Sequence, residues 1–206
     1  MTHRRLQEAS LLLASHNAGK VAELADLLSP FGIEYIGAGD LQLGEPEETG
    51  TTFIENATIK AQAAAREGKR VALGDDSGLE VDALDGAPGI FSARWAGANK
   101  DFGAAMKRIL DALEQSESGA RTARFVCALV LAWPDGHCEA FEGTVEGEIT
   151  DRPYGDAGFG YDPIFRPLGH RCSFAEMETS QKQTLSHRAQ AFDALALACL
   201  PERSRA

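Results

Sequence analysis

An apolar run that breaks into a polar, glycine-containing turn and resumes as a helix constrains this chain most: "LLLASHNAGKVAELADLL", residues 11–28. Leu11, Leu12 and Leu13 read as a buried strand. Val21, Leu24 and Leu28 then recur at i, i+3 and i+7, one stripe of a helix that Pro30 and Gly32 bring to an end. Strand, turn and helix open an α/β unit, and strand-like and helix-like segments keep alternating down the chain without internal repeats or low-complexity linkers. With 206 residues and 44% hydrophobic composition, one compact unit is the expectation, spanning 1–206 with residues 1–10 as a loosely ordered N-terminal extension.

Charge narrows the partners. Twenty lysines and arginines face 31 aspartates and glutamates, a net charge of -11, so a long nucleic-acid polymer meets repulsion, whereas a small anion in a local basic pocket does not. No apolar run is long enough to span a membrane, and no signal-type stretch follows the first residues, so a cytoplasmic protein without membrane attachment is expected. Cys127, Cys138, Cys172 and Cys199 are widely spaced, without CxxC or zinc-finger spacing, and read as reduced packing residues.

The turn at residues 15–20 sits at a helix N-terminus, where backbone N–H groups and the helix dipole favour an anion, Gly19 permits close backbone approach and Lys20 adds a full charge. It is not a Walker P-loop, since Val21 follows Lys20 where that motif needs a hydroxyl for magnesium. A plain strand-to-helix junction fits the same residues. Further on, Glu45, Glu47 and Glu48 crowd ahead of a helix that Thr52 and Glu55 start as a capping box, with Asn56 and Lys60 sharing a face.

"VALGDDSGLEVDAL", residues 71–84, predicts a strand that delivers Asp75 and Asp76 to a Ser-Gly turn at its end, followed by a second strand with one wet face. Adjacent aspartates on a strand point in different directions, so one holds metal or activates water while the other orients a neighbour, or both serve only the turn. In residues 85–97 Arg94 is suited to a phosphate or a carboxylate, and Trp95 to stacking on a base or filling the core, with nothing in the composition to choose between them. Residues 121–132 and 138–145 read as an antiparallel pair. "GDAGFGYDPIF", residues 155–165, is too rich in glycine for a regular element and offers Phe159 or Tyr161 either to a planar ring or to the core. Ser186 reads as the N-cap of a terminal helix, which places His187 and Arg188 in a first turn whose dipole they oppose; that suggests a task other than helix stability, with Lys182 just upstream.

Taken in order, "SHNAGK", "EETGTTFIENA", "DDSGLEVD", "GAPGIFSARWAG", "FGYDPIF" and "SHRAQA" resemble the Ham1-type family of inosine/xanthosine triphosphate pyrophosphatases, from about Leu11 to Leu200. The resemblance implies an elongated mixed central sheet with flanking helices, forming two lobes around a nucleotide-binding cleft. It implies hydrolysis of ITP, dITP and XTP to the monophosphate and pyrophosphate with Mg²⁺ as cofactor, by a homodimer. Residue by residue, Ser15, His16, Asn17, Ala18, Gly19 and Lys20 would hold the triphosphate, with Lys60 as a second phosphate-facing lysine. Asp76 would be catalytic base and metal ligand, with Asp75 in support, Ser77 a substrate contact and Glu47 or Glu48 the second acidic metal ligand. Phe159, Gly160, Tyr161 and Asp162 would form the base-binding loop, and Lys182, His187 and Arg188 would surround the purine. His16 and Trp95 depart from residues common in that family.

Overall fold

The computed structural model describes residues 3–202. Its framework is a six-stranded mixed sheet in the order β2-β1-β3-β4-β5-β6, built from β1 (Ser10–Ala14), β2 (Glu34–Gly37), β3 (Ala72–Val81), β4 (Thr122–Ala132), β5 (Cys138–Ile149) and β6 (Phe165–Pro167). The helices are α1 (Ala18–Leu28), α2 (Phe53–Gly68), α3 (Ser92–Trp95), α4 (Phe102–Gln115), α5 (Thr179–Leu185) and α6 (His187–Cys199). The α/β class expected from the alternating pattern is the one observed.

The chain divides into two compact units. One comprises the chain up to Asp76, Cys127–Gly143 and the chain from Arg188 onward; the other comprises Ser77–Val126 and Thr144–His187. In the first, β1 pairs in parallel with both β2 and β3, and the Leu24–Leu28 stripe of α1 packs with Leu11, Leu13, Leu73, Leu129 and Phe192. In the second, Leu79, Val81, Ile109, Phe125, Phe165 and Phe174 form a separate core, against which Trp95 packs with the Arg108 guanidinium 3.7 Å from its ring centroid. Trp95 is therefore a packing residue here, and the exposed Arg94 lies over Phe91.

One local reading needs correction. The Ser-Gly pair after Asp76 makes no turn: β3 runs unbroken from Ala72 to Val81, and Leu79 and Val81 are fully buried. Turn propensity lost to the sheet: the pairing with β1 ends at Gly74, but β3 still neighbours β4, and leaving the sheet at these largely buried positions would strand backbone groups. The strand end that matters belongs to β1, whose last residue, Ala14, pairs with Gly74. Asp75 and Asp76 thus stand just beyond the carboxyl end of β1, where α/β sheets commonly bind ligands. Residues 3–9 contain no helix or strand, yet Leu6 is buried and its N–H donates to the Cys199 carbonyl at 2.7 Å. Met1 and Thr2 lie outside the described residues.

Gly74 sets how closely α2 approaches β3. A Cβ there would overlap the Ala57 carbonyl and come within 2.9 Å of the Ala61 nitrogen. Gly74→Ala must therefore push α2, with Asn56 and Lys60, away from the aspartates. Urea unfolding should report a loss of about 1–3 kcal/mol, and turnover should fall with it; an unchanged midpoint and rate would mean that α2 does not need this contact.

Candidate active site

Apart from Glu48, which lies on the irregular segment ahead of α2, the side chains of the first unit's polar cluster arrive from regular elements. Asn17 caps α1, its Oδ1 accepting from the N–H groups of Gly19 at 3.0 Å and Lys20 at 3.3 Å. Ser15 Oγ accepts from the Asn17 N–H, and the exposed His16 places Nε2 3.1 Å from the Leu43 carbonyl. The cap fixes the start of α1 and so aims Lys20, whose Nζ lies 2.7 Å from Asp75 Oδ1. The capping box expected at Thr52 and Glu55 is present, and it starts α2 so that Asn56 and Lys60 face inward, 0% and 6% exposed.

Lys60 Nζ donates to Asp76 Oδ1 at 2.7 Å and to Glu48 Oε1 at 2.9 Å. Asn56 reaches Asp76 Oδ2 through its amide nitrogen at 3.5 Å, while its Oδ1 accepts from the Gly50 N–H. Of the two candidate metal-binding glutamates, Glu48 joins this cluster and Glu47 is exposed. Asn56 and Glu23 are site residues the motif reading missed. The signal for Asn56 was its i, i+4 spacing with Lys60; for Glu23 there was none, because its partner lies 165 residues away.

That partner is Arg188. Its guanidinium, 1% exposed, donates from Nε to Asp75 Oδ2 at 2.6 Å and from Nη1 to Glu23. The first-turn arginine of α6 thus has the task its unfavourable dipole position suggested, and here that task is gripping a buried aspartate. The two aspartates respond in opposite ways. Burial works to raise the Asp75 carboxyl, but Arg188 and Lys20 outweigh it and hold the group well below the usual carboxylate range. Burial also raises Asp76, with Glu48 adding to it, and Lys60 and Lys20 offset only part of the rise. Lys60 goes up because Asp76 and Glu48 outweigh its desolvation. The cluster therefore holds one carboxylate locked in its charged form and a neighbour raised toward accepting a proton.

In the second unit, Asp162, 3% exposed, closes the glycine-rich loop by accepting from the Phe159 N–H at 2.9 Å and from Lys182 Nζ at 2.6 Å. Gly160 belongs to the same loop, at φ 68°. Lys182 is buried on α5, a helix not anticipated, and its ammonium lies 4.9 Å from the Phe159 ring centroid. Tyr161 is core: it is 3% exposed, its hydroxyl donates to the Ser92 carbonyl, and its ring meets Phe102 edge-on. That leaves the half-buried Phe159 as the loop aromatic suited to a planar ring. His187 is buried and stacks on Phe125 at 4.8 Å between centroids. Ser77 is half-buried on β3.

A parallel β1-β2 and β1-β3 core with a capped helix N-terminus, lysines and paired carboxylates at the end of β1 defines an α/β protein with a dense charged site at a strand end. The comparisons with known proteins agree. The model of the Ham1 family matches residues 11–198, and the chain belongs to that family. It is 56% identical over 197 residues to a dITP/XTP pyrophosphatase of Rhodospirillum centenum, covering 95% of this chain and 97% of that one. A dITP/XTP pyrophosphatase of Rhodopseudomonas palustris is 53% identical, with 96% and 99% covered. Among solved structures, a HAM1 protein from Coxiella burnetii superposes with a TM-score of 0.84 at 40% identity, covering 91% of this chain and 96% of that chain.

Proposed function

We propose that this protein hydrolyses non-standard purine nucleoside triphosphates, ITP, dITP and XTP, to the monophosphate and pyrophosphate, and so keeps them out of DNA and RNA. The observation that carries the reading is the adjacent buried pair Asp75, gripped by Arg188 and Lys20, and Asp76, which faces Lys60 and Asn56. Relatives named for this activity and more than half identical over nearly the whole chain support it.

A divalent cation fits the donor set. Lys20, Lys60 and Arg188 face four carboxylates, Glu23, Glu48, Asp75 and Asp76, so the cluster has no positive charge to spare for a triphosphate. Glu48 and Asp76 offer hard oxygen donors on either side of the position that the Lys60 ammonium now bridges, the ligand chemistry Mg²⁺ prefers. Bound there by Asp76 and Glu48, Mg²⁺ would supply neutralisation of the phosphate oxygens.

The chain's own residues do the rest. Asp76 takes a proton from a water whose oxygen attacks the α-phosphorus in line. The bond from that phosphorus to the bridging oxygen breaks, and pyrophosphate departs with its electron pair. Lys20 and Lys60 bear on the charge that develops on the leaving group, the largest share of catalysis in phosphoryl transfer. Asp75 and Arg188 act by holding Lys20 in place. Lys182 and His187 are assigned to the purine, with Phe159 stacking on it. A donor aimed at the 6-keto oxygen accepts hypoxanthine and xanthine and is left unpaired by adenine.

Product analysis with ITP, dITP, XTP, GTP and ATP under Mg²⁺, detecting phosphate and pyrophosphate separately, tests the reading. Pyrophosphate from ITP, dITP and XTP with little from ATP is the expected outcome; tight binding without any hydrolysis would make the protein a nucleotide sensor instead. The family resemblance also carries a homodimer, which light scattering on the purified chain tests.

A further inference from the structure

Away from that cluster, the start of the chain, the β4–β5 hairpin and the end of α6 bring together a second set of ligand-type side chains. His3 Nδ1 lies 2.7 Å from Glu139 Oε2, and the donor atoms of His3, Glu139 and Cys199 all lie within 4.8 Å of one another. His137 Nε2 holds the other carboxylate oxygen of Glu139 at 2.8 Å. Among the described residues, this is the one group of three or more histidine, cysteine and acidic side chains so close together.

We propose that His3, Glu139 and Cys199 form a site for a borderline transition-metal cation, zinc being the best match, with water or His137 as the fourth donor. Nitrogen, sulfur and carboxylate oxygen in one group suit Zn²⁺ and disfavour Mg²⁺, so the site is chemically distinct from the all-oxygen pair Glu48 and Asp76. The geometry is within reach. Bonds of about 2.0–2.3 Å in a tetrahedron separate neighbouring donors by about 3.3–3.7 Å, so the His3–Glu139 pair opens slightly and the widest separation closes by about an ångström. His3 is 44% exposed, which gives an ion an entry, while Cys199 forms the buried floor.

The neighbouring cations do not occupy the group. Arg4 directs its guanidinium to Asp135 at 2.5 Å and over Trp133, and Arg5 donates to the Leu200 carbonyl. Second contacts already tie the N-terminal segment to both other ligands, since the Arg4 N–H donates to Glu139 Oε1 and the Leu6 N–H to the Cys199 carbonyl. An ion would therefore enter a largely assembled site and clamp the N-terminal segment to the hairpin and to α6. The simpler use of the same contacts is a His3–Glu139 ion pair with a bystander thiol.

The test uses the untagged full chain, stripped with a chelator and kept in excess Mg²⁺ to occupy the carboxylate pair. Zn²⁺ alone is titrated against a chromophoric chelator, and Co²⁺ alone is followed by absorption. One equivalent of Zn²⁺ should bind, Co²⁺ should give a sulfur-to-metal charge-transfer band with four-coordinate visible bands, and excess Zn²⁺ should raise Tm by about 5 °C. His3→Ala, on an exposed side chain, should weaken Zn²⁺ binding at least tenfold and abolish the rise in Tm; Cys199→Ser should remove the charge-transfer band. Absence of that band in the unsubstituted protein, or equal Zn²⁺ affinity in His3→Ala, overturns the proposal and leaves the ion pair.

Discussion

Asp76→Asn is expected to lower kcat/KM for ITP by about a thousandfold or more, while the protein melts no earlier than the unsubstituted chain. Both halves follow from one observation. Burial raises the Asp76 carboxyl above its ordinary value, and Lys60 and Lys20 only partly compensate. A carboxyl whose folded value exceeds its unfolded value costs stability when ionised, and that cost appears as pH rises from the unfolded value through the folded one. Asparagine keeps the shape, removes the penalty and removes the base. Lys60 retains Glu48 at 2.9 Å, so no cation is stranded. Pyrophosphate release and a thermal melt on the same sample check the pair of outcomes, and near-normal turnover would take Asp76 out of the role of base. The same rise moves the acid limb of kcat/KM for the free enzyme above the ordinary aspartate value.

Arg188→Ala should be the most damaging substitution for stability, by about 3–5 kcal/mol, as expected when one member of a buried ion pair is removed. Asp75 is fully buried and would keep Lys20 and the Cys127 thiol but lose its guanidinium, and Glu23 would lose its partner as well. The pH dependence distinguishes this from a simple packing loss. Arg188 and Lys20 depress Asp75, so the pair contributes its full stability above the unfolded carboxylate value and loses it as pH falls through the depressed folded one. The deficit of Arg188→Ala should therefore be largest near neutral pH and shrink on acidification below the ordinary aspartate range. A deficit independent of pH would assign the loss to packing. The ratio of kcat/KM for ITP over ATP, measured on the charge-retaining Arg188→Lys, bears on the base: a fall brings Arg188 into purine recognition, and an unchanged ratio leaves that to Lys182 and His187.

What could be read along the chain was whatever depends on neighbours in sequence. The Val21–Leu24–Leu28 stripe, the Thr52–Glu55 capping box and the start of α6 after Ser186 all depend on residues a few positions apart, and all three are present. The Ser-Gly pair after Asp76 misled for the complementary reason. Its local preference is a turn, but β3 stays in the sheet beside β4 and runs extended to Val81. Likewise nothing near Tyr161 distinguishes a stacking platform from core; the Ser92 carbonyl that takes its hydroxyl is 69 residues away. Glu47 and Glu48 are equivalent as letters, and the Lys60 ammonium on the next helix separates them.

The sequence by itself determined the α/β class, the helix starts and the set of residue types that polyphosphate chemistry needs, because periodicity, capping and motif order are local properties of the chain. The tertiary structure alone decided how those charges are used: Asp75 locked by Arg188 and Lys20, Asp76 raised by burial, and Asn56 and Glu23 drawn into the cluster. Charge and desolvation act through space over a few ångströms, between residues that chain order places from 16 to 165 positions apart.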